Sequence, residues 1–274
     1  MRFQSKSSFI YMFRNFGQLF FVTLPVSVIL AFFATPYLET DLFAALFTGQ
    51  LGENYFDAFA SGITVLRFIE RHWWYAIAAL FALVLLAYTM CVMVVKINRH
   101  MRMGEMPTLP LKRAFGIFPM MLLYIVCWVL VSEVALLIIV GIVSMLRFLP
   151  SAEAMIGIGF GLTFVVRIFL TYIFGLLIIT FPLKYSENYR FNVAMSYSAR
   201  TMSAKRGKLI LLSLAYAFAR YAVMVTAYFA RPLDVMVYAV ANLLVLTFVP
   251  CFAFKQYHDE IGGERRDVSQ IIFG

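Results

Sequence analysis

The chain has 274 residues, of which 63% are hydrophobic and only 14% charged, with a formal net charge of +9. A soluble domain runs at roughly 45–50% apolar and 25% charged residues, so these proportions exclude an ordinary water-soluble fold. No polar stretch is long enough to fold by itself, and residues 1–274 read as a single integral membrane domain.

Taken in order, the chain opens with a short amphipathic segment over 7–16, in which Phe9, Phe13 and Phe16 recur at helical spacing. Such a segment lies in the membrane interface with its apolar side down. Six apolar runs follow, at 19–38, 74–95, 117–146, 155–183, 209–229 and 235–254, each near or above the roughly 20 residues that a helix needs to cross the hydrocarbon core. The runs are too long and too continuous for barrel strands, which alternate over about ten residues. The expected fold class is therefore all-α: a polytopic membrane protein of six transmembrane helices with amphipathic interfacial helices. The third and fourth runs exceed the need and should tilt or extend beyond the core. Pro25 should kink the first. That first run begins late and carries no small-residue cleavage site after it, so it reads as a retained span and not a signal peptide.

Two further segments resemble the first. One is 109–115, after the turn-forming Pro107 and Pro110; the other is 191–202, where Val193, Ala194, Tyr197 and Met202 interleave with Ser and Arg. The chain then reads as three units, each an elbow helix plus a transmembrane hairpin. Between the first two spans, 42–46 and 65–74 are amphipathic as well, and Trp73 and Trp74 match the aromatic belt at head-group level.

Orientation follows from Lys and Arg placement. Seventeen basic residues fall before span one, between spans two and three, between spans four and five, and after span six; the opposite loops hold only Arg67, Arg71, Arg147 and Arg231. Acidic residues reverse the bias, with Glu39, Asp41, Glu53, Asp57, Glu70, Glu153 and Asp234 opposite. Both termini are thus expected in the cytoplasm, the protein in a plasma membrane. The positive net charge is a topology signal: nucleic-acid binding would need a basic soluble face or a recognisable module, and neither is present. The basic loops are expected to meet anionic lipid head groups, and the lipid bilayer is the partner the sequence implies.

Three charges stand apart. Glu133, Arg167 and Arg220 lie near the middles of spans three, four and five. A charge at the bilayer centre persists only when paired or hydrated, so these residues form the candidate intramembrane polar cluster. One reading is a structural ion pair that fixes helix register, Glu133 meeting Arg167 with Arg220 close enough to share the same pocket. The other is a polar cavity that binds an anionic group, the excess of positive charge favouring an anion such as a phosphate head group, or that relays protons.

Other features have simpler readings. Gly157 and Gly161 make a small-xxx-small pattern in span four, near Gly159 and Gly175, and suit close helix approach. Cys91, Cys127 and Cys251 sit inside apolar runs as packing residues, and none has a His or second Cys at ligand spacing. His72, His100 and His258 are scattered, and His258-Asp259-Glu260 reads as a solvated charged tail, with cation binding as the alternative. No catalytic signature, metal set or cofactor motif is in view, so no catalytic residue, metal or cofactor is assigned.

The order of elements resembles the YciC-like bacterial inner-membrane proteins, and is similar to the six-span membrane domain fused to some glycerophosphodiester phosphodiesterases. The resemblance rests on the elbow before span one, on the segment from Pro182-Leu183-Lys184-Tyr185 to Arg190, and on Ala194-Met195-Ser196-Tyr197-Ser198-Ala199-Arg200 running through Lys208 into span five. It implies a bacterial plasma membrane and an envelope- or lipid-related role, and transfers no functional residue. Two other classes are compatible with the sequence: a permease subunit of an ABC-type transporter, to which 198–208 has a similar basic texture but lacks the Glu-Ala-Ala…Gly signature, and a non-transporting scaffold or immunity-type protein.

The charge asymmetry gives a direct test. With Cys91, Cys127 and Cys251 replaced by Ala, an impermeant thiol reagent should label Glu53→Cys from outside the cell, and Ser203→Cys only after permeabilisation. External labelling at 203 would invert the topology.

Overall fold

The computed structural model describes residues 5–33, 42, 45–46, 48–49, 54–71, 73–107, 111–146, 151–230 and 233–261. Every regular element among them is a helix: α1 Ser5–Arg14, α2 Phe16–Phe33, α3 Tyr55–Ile63, α4 Val65–Arg71, α5 Trp74–Met103, α6 Leu111–Met145, α7 Ala152–Leu176, α8 Thr180–Glu187, α9 Phe191–Ser203, α10 Arg206–Phe229 and α11 Asp234–Ile261. Five long helices among the described residues are long and apolar enough to cross a membrane, and α1 with α2, bent by 89°, makes the sixth as a broken pair. The protein is a polytopic all-α membrane protein. Most of the segment expected at 42–46, together with His72, Arg147, Arg231, Glu39, Asp41 and Glu53, lies outside the described residues.

Helix boundaries follow local chemistry. Asn15 makes the elbow: its side-chain Nδ2 donates to the Tyr11 carbonyl at 3.0 Å, while its own carbonyl accepts from Gln18 and Leu19. One residue thereby caps the end of α1 and starts α2. The rings of Phe9, Phe13, Phe16 and Phe20 form a ladder across the bend, with successive centroids 5.4–6.4 Å apart. Gly104, at φ 79°, ends α5 in the left-handed region that glycine enters without a Cβ penalty. Ser151 starts α7 by accepting from the Ala154 N–H.

α7 and α8 are one span interrupted by a turn. At the turn Ile178 donates to the Gly175 carbonyl and Thr180 to the Leu177 carbonyl, and Pro182 follows in the first turn of α8, where a missing N–H is tolerated. The Thr180 N–H having gone to Leu177, the Leu176 carbonyl accepts from Ser198 Oγ of α9 at 2.8 Å. Pro25, Pro119 and Pro250 lie inside α2, α6 and α11 without ending them.

The six spans pack in chain order, α2 on α5, α5 on α6, α6 on α7, α7 on α10 and α10 on α11, and the most extensive contact of all, between α2 and α11, closes the ring. Hydrogen bonds cross that closing interface: Thr23 Oγ1 lies 3.2 Å from Thr247 Oγ1, and Asn242 Nδ2 donates to the Ser27 carbonyl at 3.4 Å. Lipid supplies no hydrophobic force between helices, so such bonds and close packing carry the association. Large apolar side chains such as Phe21, Leu80, Leu123 and Phe229 point outward, each more than half exposed, as lipid-facing residues do.

Three expectations are corrected. The segment 109–115 is no separate elbow: α6 runs unbroken from Leu111 to Met145, because nothing between the upstream prolines and Pro119 withdraws a donor. Among the described residues, elbow helices therefore precede the first and fifth spans, as α1 and α9. The small-residue pattern is also misplaced. Gly157 and Gly161 face open space, whereas Gly159, on the other side of α7, holds Phe59 of α3 so closely that an added Cβ would sit 2.6 Å from the ring. The segment 258–260 is not a free solvated tail either: Asp259 and Glu260, partly exposed, pair with Lys255 and Lys205. It continues α11, with His258 4% exposed.

Phe59 inserts with Ile63 between α6 and α7, beside Val140, Val143 and Phe160. Gly159→Ala should destabilise the protein in detergent by about 1–3 kcal/mol, the usual range for overpacking, whereas Gly157→Ala and Gly161→Ala should leave the thermal midpoint unchanged. Adding Phe59→Leu to Gly159→Ala should recover part of the loss.

Candidate functional site

The three intramembrane charges sit on three successive spans. Counting 1.5 Å per residue from the end of each helix away from the basic loops, Glu133 lies about 18 Å along α6 from Met145, Arg167 about 22 Å along α7 from Ala152, and Arg220 about 14 Å along α10 from Phe229. Glu133 and Arg220 fall in the middle third of a hydrocarbon core about 30 Å thick, and Arg167 lies just past it.

Arg167 and Arg220 line one cavity of about 400 Å³ between α7, α10 and α11. Tyr216, Tyr221, Tyr238 and Asn242 supply its other polar groups, and aliphatic side chains make up most of the remaining wall. Two guanidinium groups and no carboxylate are found among the described lining residues. Phe9 of the elbow helix also reaches this cavity and stacks on Phe248 of α11, their centroids 4.4 Å apart. The N-terminal elbow is therefore part of the cavity wall.

Glu133 has a different immediate role. It is 7% exposed, and its Oε2 accepts from the Val65 N–H at 2.9 Å and the Leu66 N–H at 3.5 Å. These are the first two backbone donors of α4, which has no earlier turn to satisfy them. Thr64, extended and fully buried, sends its Oγ1 back to the Ala60 carbonyl at 2.7 Å. The segment before α5, expected to lie flat at the interface, thus dips to the level of a mid-span carboxylate. The negative charge complements the positive helix end. Glu133 is not among the residues that line the arginine cavity.

Sequence reading missed a polar layer where the basic segments converge. Arg102 of α5 contacts Glu187 of α8 at 3.1 Å, and both meet the hydroxyl of Tyr257 on α11. Lys205 bonds Gln256 at 2.9 Å and pairs with Glu260; Lys255 pairs with Asp259 at 2.9 Å; Ser186 donates to Asn98 at 2.8 Å. Tyr11 of the elbow bonds His100 at 2.8 Å. Only the i,i+4 spacing of Lys255 and Asp259 was a signal in the sequence; the other pairs join residues far apart in the chain.

Comparison of the chain with protein-family models, with curated proteins and with solved structures finds no match. The fold and the site define the class directly: a multi-pass helical membrane protein with a cationic cavity among its spans.

Glu133 can be tested as a helix cap. Glu133→Leu strands the Val65 and Leu66 N–H groups, partly buried donors whose loss costs up to about 1–3 kcal/mol each where water cannot replace the carboxylate, and should lower the thermal midpoint in detergent. Glu133→Gln retains a carbonyl acceptor and should lose less. Equal losses would show that the charge matters and the acceptor does not.

Proposed function

We propose that the protein is an envelope-related component of a bacterial cytoplasmic membrane, with both termini inside, whose α7–α10–α11 cavity holds the anionic group of an amphiphile. The observation that carries this reading is the pair Arg167 and Arg220 lining one otherwise largely apolar cavity at mid-membrane depth. Guanidinium groups suit phosphate and carboxylate because their planar donors bind two oxygens at once. In a low-dielectric wall the attraction is far stronger than in water. Tyr216, Tyr238 and Asn242 add neutral donors, and the aliphatic walls suit an acyl or prenyl chain. The resemblance to YciC-like inner-membrane proteins agrees with an envelope role. Glu133 at similar depth offsets part of the positive charge, which lets the two arginines persist there.

Lipid analysis of the protein purified from native membranes tests the reading. An anionic amphiphile should be enriched over the surrounding membrane, and Arg167→Gln with Arg220→Gln should lose it while the helices remain folded. An unchanged lipid profile in that double variant would refute the cavity as the binding site. A co-purifying ATPase would replace the reading with a permease subunit.

A further inference from the structure

A second cavity, of about 580 Å³, lies between α2 and α5, remote from the arginines. Its described lining runs from Gln18 to Val26 on α2 and from Leu85 to Lys96 on α5, with Met106 and Pro107 at one end. Lys96 was counted in a basic loop on sequence grounds. The structure carries α5 on to Met103, so Lys96 stands inside the bundle, 4% exposed. It is the only charged group among the described lining residues.

The position of Lys96 along the helix gives the cavity its meaning. Trp73 and Trp74, 75% and 53% exposed, mark the head-group level at the start of α5. Lys96 follows Trp74 by 22 residues of continuous helix, about 33 Å, which is one hydrocarbon thickness. The ammonium group therefore stands at the opposite head-group level. From there the cavity extends to Leu85, eleven residues or about 16 Å back toward the bilayer centre. Gln18, the polar side chain on α2, is at the Lys96 end; Phe21, Val22, Pro25 and Val26 follow inward. Lys96 and Gln18 at one end, and a trough toward the middle that is mainly apolar apart from the hydroxyls of Tyr88 and Thr89, match a phospholipid in outline, charge and orientation.

We propose that the α2–α5 groove is a specific binding site for one anionic phospholipid of the leaflet that meets the basic loops. Its head-group phosphate lies on Lys96 and Gln18, and one acyl chain lies along Val22, Thr89 and Leu85. This site is independent of the arginine cavity. A long Lys stem can cover the chain while its ammonium group reaches the phosphate. A diacyl lipid and not free phosphate is the occupant, because most of the wall is apolar.

Native mass spectrometry of the full chain, with phosphatidylglycerol and phosphatidylcholine titrated separately in detergent, tests this. One tightly retained phosphatidylglycerol should survive at activation energies that strip phosphatidylcholine. Lys96→Gln should weaken it about fivefold, the worth of one surface-level lysine, and Lys96→Arg should restore it. Leu85→Trp, which fills the trough and keeps the charge, should lose the lipid too. Lys112→Gln, at an exposed basic position, should bind like the wild type. Equal retention of the two lipids, an effect of Lys112→Gln as large as that of Lys96→Gln, undiminished binding in Leu85→Trp, or full competition by inorganic phosphate would each overturn the proposal.

Discussion

A backbone N–H or C=O inside hydrocarbon has no water to turn to, and each one left unpaired costs several kcal/mol. Uninterrupted helices answer that constraint for most of this chain. Where the helices break, side chains supply the partner. Ser198 takes the carbonyl freed at Leu176. Asn15 serves both sides of the elbow. Glu133 receives the first donors of α4. The elbow is satisfied locally, but at Leu176 and at the start of α4 the partner comes from another segment, so there satisfying the backbone and building the tertiary structure are the same events.

That logic accounts for the cavities. The elbow at Asn15 turns α1 across the bundle, where Phe9 reaches the arginine cavity and Tyr11 reaches His100 on α5. A straight α1–α2 helix would leave both places open. The polar layer formed by Arg102, Glu187, Tyr257, Lys205 and Glu260 then ties the ends of α5, α8, α10 and α11 together at the same level. Half-exposed pairs of this kind add little stability singly, but a network of several charges can fix geometry. It holds the ring closed where the spans leave the membrane, while Thr23–Thr247 and Ser27–Asn242 hold it within.

The cluster of Glu133, Arg167 and Arg220 shows how far a sequence can go with charges in apolar runs. Their cost in lipid singled them out without any structure. Depth followed as well, because a helix advances a fixed distance per residue. What each charge touches did not follow. The two arginines share a cavity because α7 packs on α10 and α11 flanks it, and Glu133 meets the α4 backbone because Phe59 fits the gap that Gly159 leaves. Neither relation has a local signature.

The sequence by itself determined the all-α class, the number and approximate limits of the spans, and the elbows before spans one and five. Those follow from hydropathy, helical periodicity and Lys/Arg placement, all one-dimensional. Only the tertiary structure decided which glycine packs, Gly159 and not Gly157 or Gly161. It alone also showed that His258 is buried and that Lys96 stands in a groove. The physical reason is rotational: a helical pattern in an apolar span is nearly the same on every face, since lipid and protein neighbours are equally apolar. Which face turns inward is set by contacts between helices far apart in the chain.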